Sequence, residues 1–205
     1  MKVLVVNEST YGSTREIAEA ITEELRQSGH AALVSDAADA PAPDGYGAVV
    51  IGSGLYMGRW LPGATRYLEE HAGALRRLQV WLFSSGPLGH DDPQPSGESP
   101  HAAELAASVG AREHATFAGR LDRSRLRWAH RLIVGAMKAP VGDFRDWEMV
   151  RAWAGSIAVA LTPPLRERAT ARGEPDAASS AHPEPRSATV PRNGAGDTAA
   201  KGASR

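Results

Sequence analysis

The stretch Asn7-Glu8-Ser9-Thr10-Tyr11-Gly12-Ser13-Thr14 crowds hydroxyl side chains around one glycine. Small residues of this kind let backbone N–H groups and hydroxyls converge on an oxyanion, and a helix that starts there adds unpaired N–H groups and a positive partial charge. The same residues would also serve as a helix cap. No lysine lies in the stretch, and it contains neither G-x-x-x-x-G-K-[ST] nor G-x-G-x-x-G. That argues against a nucleoside triphosphate and against a dinucleotide. A phosphate monoester held by hydrogen bonds fits instead. Two further stretches share the character: Gly52-Ser53-Gly54-Leu55-Tyr56-Met57-Gly58-Arg59-Trp60 and Ser84-Ser85-Gly86-Pro87-Leu88-Gly89.

Each of the three stretches follows an apolar run. Residues 2–6, Lys-Val-Leu-Val-Val, have the branched, unalternating character of a strand buried on both faces of a parallel sheet. Residues 31–34, 48–51, 78–83 and 114–117 supply four more strands. Between them, Ile17, Ala18, Ile21 and Leu25 recur at helical spacing with charges on the other face. Pro62 opens a helix at its first turn, and residues 102–109 form another. Asp146 is a natural N-cap for a last helix that buries Trp147, Val150, Trp153, Ile157 and Leu161 on one stripe. Strands and helices in alternation imply right-handed βαβ units in a doubly wound α/β sheet. In such a sheet the three loops gather at the carboxyl edge, where ligands bind.

Composition bounds the rest. A chain of 205 residues can bury one ordinary core, and a net charge of −1 gives no global field favouring nucleic acid. Without cysteine there is no disulfide, thiolate metal site or cysteine nucleophile. His30, His71, His101, His114 and His130 show no metal-ligand spacing, and nothing orients a base for a Ser-His-Asp triad. His90, beside the third stretch, is a candidate proton donor; no catalytic residue is assigned. One domain is expected over 1–162. Pro164–Arg205 contains no Phe, Tyr, Trp, Ile or Met, so 163–205 is expected to be a disordered tail. With no leader-like start and no apolar run long enough to span a bilayer, the expected compartment is the cytoplasm. Residues 119–145 stand apart as a basic insert. Between 120 and 138 there are six Arg or Lys and one acid, interleaved with Trp128 and aliphatic residues. Such a helix suits an anionic membrane surface or an acidic partner; covering a sheet edge is the alternative.

Ser9-x-Tyr11-Gly12-x-Thr14 resembles the flavodoxin phosphate loop, [ST]-x-T-G-x-T, with Tyr11 in the place of a Thr. The resemblance implies a flavodoxin-like fold with five parallel strands in the order 2-1-3-4-5. It also implies an FMN whose phosphate is bound by Ser9, Thr10, Tyr11, Gly12, Ser13 and Thr14. The flavin ring would then lie between the second and third loops. Gly52, Ser53 and Gly54 would permit its close approach, with Leu55 and Met57 in the same loop. Tyr56 or Trp60 would stack on it, Trp60 fitting core packing equally well. Ser84, Ser85, Gly86, Pro87, Leu88 and Gly89 would form the third wall. Phe117-Ala118-Gly119-x-Leu121, the basic stretch after it, and Asp143-x-x-Asp146-Trp147-Glu148 are similar to the flavodoxin-type, menaquinone-dependent protoporphyrinogen oxidases. That likeness implies an FMN-dependent oxidoreductase taking a porphyrinogen and a quinone, with peripheral contact at the inner face of the membrane. The order Tyr56-Met57-Gly58-Arg59 departs from the basic-then-aromatic order of those enzymes. An NAD(P)H:quinone-type reductase, a flavodoxin-type electron carrier and a domain that has lost FMN are the alternatives.

Overall fold

Val3, Leu4, Val5 and Val6 are wholly buried because strand β1 (Lys2–Glu8) has neighbours on both edges and helices on both faces. The computed structural model describes residues 1–86, 99–121 and 142–162. After β1 come α1 (Ser13–Gln27), β2 (Ala31–Asp36), β3 (Ala48–Tyr56), β4 (Arg59–Trp60), α2 (Pro62–Glu70), α3 (Ala72–Leu75) and β5 (Gln79–Ser85). They are followed by α4 (Pro100–Val109), β6 (Glu113–Phe117), β7 (Arg120–Leu121), β8 (Gly142–Asp143) and a last helix, α5 (Trp147–Ala160). The main sheet runs β2-β1-β3-β5-β6, all parallel, and short β4 pairs antiparallel with β3. With β4 set aside, this is the expected 2-1-3-4-5 order of a flavodoxin-like sheet.

Alternation along the strands divides the core in two. Val3, Val5, Val50, Trp81 and Phe83 pack with α1 and α5, through Ile17, Ile21, Trp153 and Ile157 among others. Leu4, Val6, Val49, Ile51, Val80 and Leu82 face Leu68, Leu75, Leu105 and Val109 on the opposite side. Asp146 caps α5 as expected, its carboxylate accepting from Met149 N–H at 2.9 Å. Glu8, at the end of β1, ties the start of α2 to the sheet by accepting from Ala64 N–H at 2.7 Å.

Two features differ from the sequence expectation. Strand β3 does not end at Ile51 but continues to Tyr56, so Gly52 to Tyr56 are strand residues rather than loop. The cause is a hairpin: Leu55 pairs with Trp60 and Tyr56 with Arg59, across a turn whose two residues, Met57 and Gly58, have φ of 50° and 74°. Two consecutive positive φ values match the twist of paired strands, and they explain a glycine at position 58. The second feature is a stem. Arg120 pairs with Asp143 and Leu121 with Gly142, closing the insert with a two-stranded ladder. The basic helix expected within 120–138 lies almost wholly outside the described residues, as does the tail expected over 163–205.

Candidate functional site

The first loop turns sharply because Gly12 takes φ 89° and ψ −12°, a left-handed conformation that disfavours a side chain. Its N–H is held by the Ser9 hydroxyl at 2.9 Å, and its carbonyl accepts the first helical bond, from Glu16 N–H at 3.0 Å. No side chain caps α1. The N–H groups of Ser13, Thr14 and Arg15 therefore have no acceptor among the described residues, and the positive end of the helix dipole faces the loop. Uncapped donors around a left-handed glycine are what a dianionic phosphate monoester requires. Donors without formal charge also account for the missing lysine.

The other two stretches converge on this cradle. Thr14 Oγ1 lies 3.5 Å from where a Cβ on Gly54 would stand. Ser13 Oγ lies 3.5 Å from Ser85 Oγ and accepts from Arg120 N–H at 3.0 Å. The Tyr56 phenol reaches back towards Thr10 of the loop. Burial pushes the Tyr56 phenol up, which Tyr11 reinforces, while the Thr10 side chain opposes it. Tyr56 is nonetheless partly exposed, and Met57 at the hairpin tip is fully so. Both belong to the hairpin that follows Gly54. Gly86 closes the β5 side, its N–H bonded to Phe117 carbonyl at 2.8 Å.

Other residues singled out from the sequence have internal roles. Gly52 does not make room for a heterocycle: a Cβ there would stand 2.0 Å from the Phe83 ring, so its smallness accommodates Phe83 of the neighbouring strand. Ser53 is wholly buried and donates to the Gly54 carbonyl at 3.0 Å while accepting from Leu61 N–H at 2.9 Å. Trp60 takes the core-packing role that the sequence left open. It is 4 % exposed, packs in the α2–α4 core, and donates its indole N–H to Ser84 Oγ at 2.8 Å. Ser84 is thereby occupied, and it also bonds His114 Nε2 at 2.9 Å. Leu55 is half-buried against the same core. Pro87, Leu88, Gly89 and His90 lie outside the described residues.

Sequence reading missed the ion-pair clamp on the first turn of α1. Glu16 takes Arg120 Nη2 on Oε1 and Arg145 Nη1 on Oε2, both at 2.7 Å. Arg145 also chelates Asp143, at 2.8 Å from Nε and 2.5 Å from Nη2, and its guanidinium lies 4.4 Å above the Trp147 ring. Its side chain is only 3 % exposed. Burial pushes the Glu16 carboxyl up, but Arg145 and Arg120 outweigh it and hold the group below the ordinary carboxylate range. The Arg145 hydrogen bond lowers Asp143 in the same way. Both ends of the insert stem are thus fastened to the helix that begins at the phosphate cradle. Partners 104 and 129 residues apart leave no local pattern that would have revealed this.

Comparison with known proteins agrees with this geometry. A family model described as "Flavodoxin domain" matches residues 4–147. The protoporphyrinogen IX dehydrogenase [quinone] of Escherichia coli K12 is 26 % identical over 175 residues, covering 77 % of this chain and 95 % of that protein. Among solved structures, flavodoxin 1 of Bacillus cereus superposes with a TM-score of 0.54 at 15 % identity, covering 80 % of this chain and all of that one. The rubredoxin oxygen:oxidoreductase of Desulfovibrio gigas superposes with a TM-score of 0.53 at 21 % identity; this chain spans only 36 % of its length. At such identities the structural matches establish the fold. The family match spans the cradle, the β3–β4 hairpin and the insert stem, and the cradle fits the phosphate of FMN, so this chain belongs to the flavodoxin domain family, with FMN as its cofactor.

Proposed function

We propose that the protein is an FMN-dependent oxidoreductase that oxidises protoporphyrinogen IX and passes the electrons to a quinone. The observation that carries this reading is the likeness to a dehydrogenase of that description over 95 % of its length, in a chain whose insert is fastened by its stem to the cofactor helix. When bound, FMN supplies the electron acceptance and onward transfer. The chain's own groups do the rest. Gly12 and the first-turn amides of α1 hold the phosphate, with Ser9 keeping the loop closed. Tyr56 and Met57 offer the ring an apolar wall. Glu16, Arg120 and Arg145 fasten the stem of the insert to the helix that begins at the phosphate loop.

The composition of 120–138 supports a peripheral role for the insert at an anionic membrane surface, where a lipid-soluble quinone is at hand. Among the described residues, no helix is long and apolar enough to cross a membrane. The test is anaerobic: protoporphyrinogen IX is expected to bleach the flavin absorbance of the purified protein, and menaquinone to restore it. A flavin that stays oxidised with porphyrinogen, yet exchanges electrons readily with a reductase protein, would make the chain a carrier instead.

A further inference from the structure

Between β4, α2 and α4 lies a groove of about 300 Å³ whose lining includes no residue of the phosphate loop. Arg59, Trp60, Thr65, Arg66, Glu69 and His101 line it. Arg59 is the cross-strand partner of Tyr56, so the groove adjoins the residue that reaches the cradle. Neither Arg59 nor Arg66 has an ion-pair or hydrogen-bond partner among the described residues, although every arginine of the insert stem is paired. The third donor follows from a backbone contact. Trp60 N–H donates to His101 Nδ1 at 3.2 Å, so that nitrogen is an acceptor and the neutral ring carries its proton on Nε2. Thr65 is turned to its own helix, donating to the Leu61 carbonyl at 3.1 Å. Glu69 is the one carboxylate in the lining, against two guanidiniums and an imidazole N–H.

Unpaired guanidiniums in a concave site, beside the apolar wall of a redox cofactor, recognise oxyanions through charge-assisted and bidentate hydrogen bonds. We propose that this groove is the subsite that anchors the anionic arm of the reducing substrate, with Arg59 and Arg66 as its specificity-determining residues. Resting on the function proposed above, the arm is a propionate carboxylate of the porphyrinogen, whose ring is then held towards Tyr56 and Met57. A nicotinamide dinucleotide would offer a phosphate of the same chemistry, and the experiment separates the two sources.

The FMN-loaded protein is reduced anaerobically with protoporphyrinogen IX, with its dimethyl ester, and with NADPH or NADH, in the wild type, Arg59→Gln/Arg66→Gln and Arg59→Lys/Arg66→Lys. The wild type is expected to favour the free acid over the ester by about tenfold in half-saturating concentration, the worth of one charge-assisted contact. The glutamine pair should abolish that preference, and the lysine pair should keep part of it. Binding of oxidised protoporphyrin IX and its dimethyl ester, followed by flavin fluorescence, repeats the comparison without turnover. Preferential binding of the acid with no flavin reduction would keep the subsite and sink the porphyrinogen oxidation. Reduction by NADPH alone, with its advantage over NADH lost in the glutamine pair, would keep the subsite and make phosphate its ligand. Equal affinity of acid and ester in the wild type together with no NADPH preference, or a preference that survives in the glutamine pair, overturns the proposal.

Discussion

The loop at residues 9–14 and the segment at 52–54 with its neighbour at 84–85 are built from the same residue types, yet they use their polar groups in opposite ways. In the first, a left-handed Gly12 and an uncapped helix leave N–H groups without an acceptor among the described residues. In the second, Ser53 bonds both Gly54 and Leu61, and Ser84 bonds both Trp60 and His114. Buried hydroxyls must be paired to be tolerated. The serines of both regions find partners within the protein, Ser9 with Gly12 and Ser13 with Arg120 in the first loop; what sets the first loop apart is its backbone N–H groups at an uncapped helix start. Glycine divides in the same way: Gly12 serves a backbone conformation, and Gly52 serves the Phe83 ring.

Substitutions at those two glycines test the contrast most sharply. Gly12→Val places a β-branched side chain in the left-handed region and in the path of the phosphate. We expect FMN affinity to fall by at least about a hundredfold, about 2.7 kcal/mol, by fluorescence titration, with the far-ultraviolet dichroism of the fold retained. Gly52→Ala should do the reverse. Overpacking against Phe83 should cost about 2 kcal/mol in denaturant melts, and the molecules that fold should bind FMN within about threefold of the wild type. A large loss of FMN affinity at unchanged stability would return Gly52 to the ligand site.

A smaller effect is expected at Trp60. Trp60→Phe removes the indole donor to Ser84 and should cost about 1 kcal/mol of stability, leaving the flavin absorbance spectrum unshifted. A displaced flavin band would mean that the indole touches the ring after all. The clamp gives the most modest effect, and its sign follows from the charges. Glu16 and Asp143 are held below their unfolded values by Arg145 and Arg120. Their stabilisation is thus full above the unfolded carboxylate pKa of about 4 and is lost as pH falls through the lower folded values. Thermal melts of wild type and Glu16→Gln should differ most near neutral pH and draw together in acid; parallel curves would show that the clamp contributes nothing.

How legible each region was depends on how local its cause is. The five parallel strands, the helix after the first loop and the Asp146 cap come from periodicity and short-range hydrogen bonding, and they stand where residues 2–6, 17–25 and 146–149 indicate. The flavodoxin-like order came from the loop motif. The hairpin went unread because Met57-Gly58 is a poor match to the Asn-Gly pattern that normally marks such a turn. Trp60 was ambiguous because its role depends on Ser84, a residue 24 positions away in another strand. Glu16, Arg120 and Arg145 resemble any solvent-exposed charges until the fold brings them together.

The central claim is that the residues from Ser9 to Thr14 recognise the phosphate of FMN, while the wall beside them meets only the ring. Titrating the apoprotein with FMN and with riboflavin, which lacks the phosphate, tests it most directly. FMN should bind at least about a hundredfold more tightly than riboflavin to the wild type, and that ratio should collapse towards one in Gly12→Val. Equal affinity for the two flavins in the wild type would contradict the account.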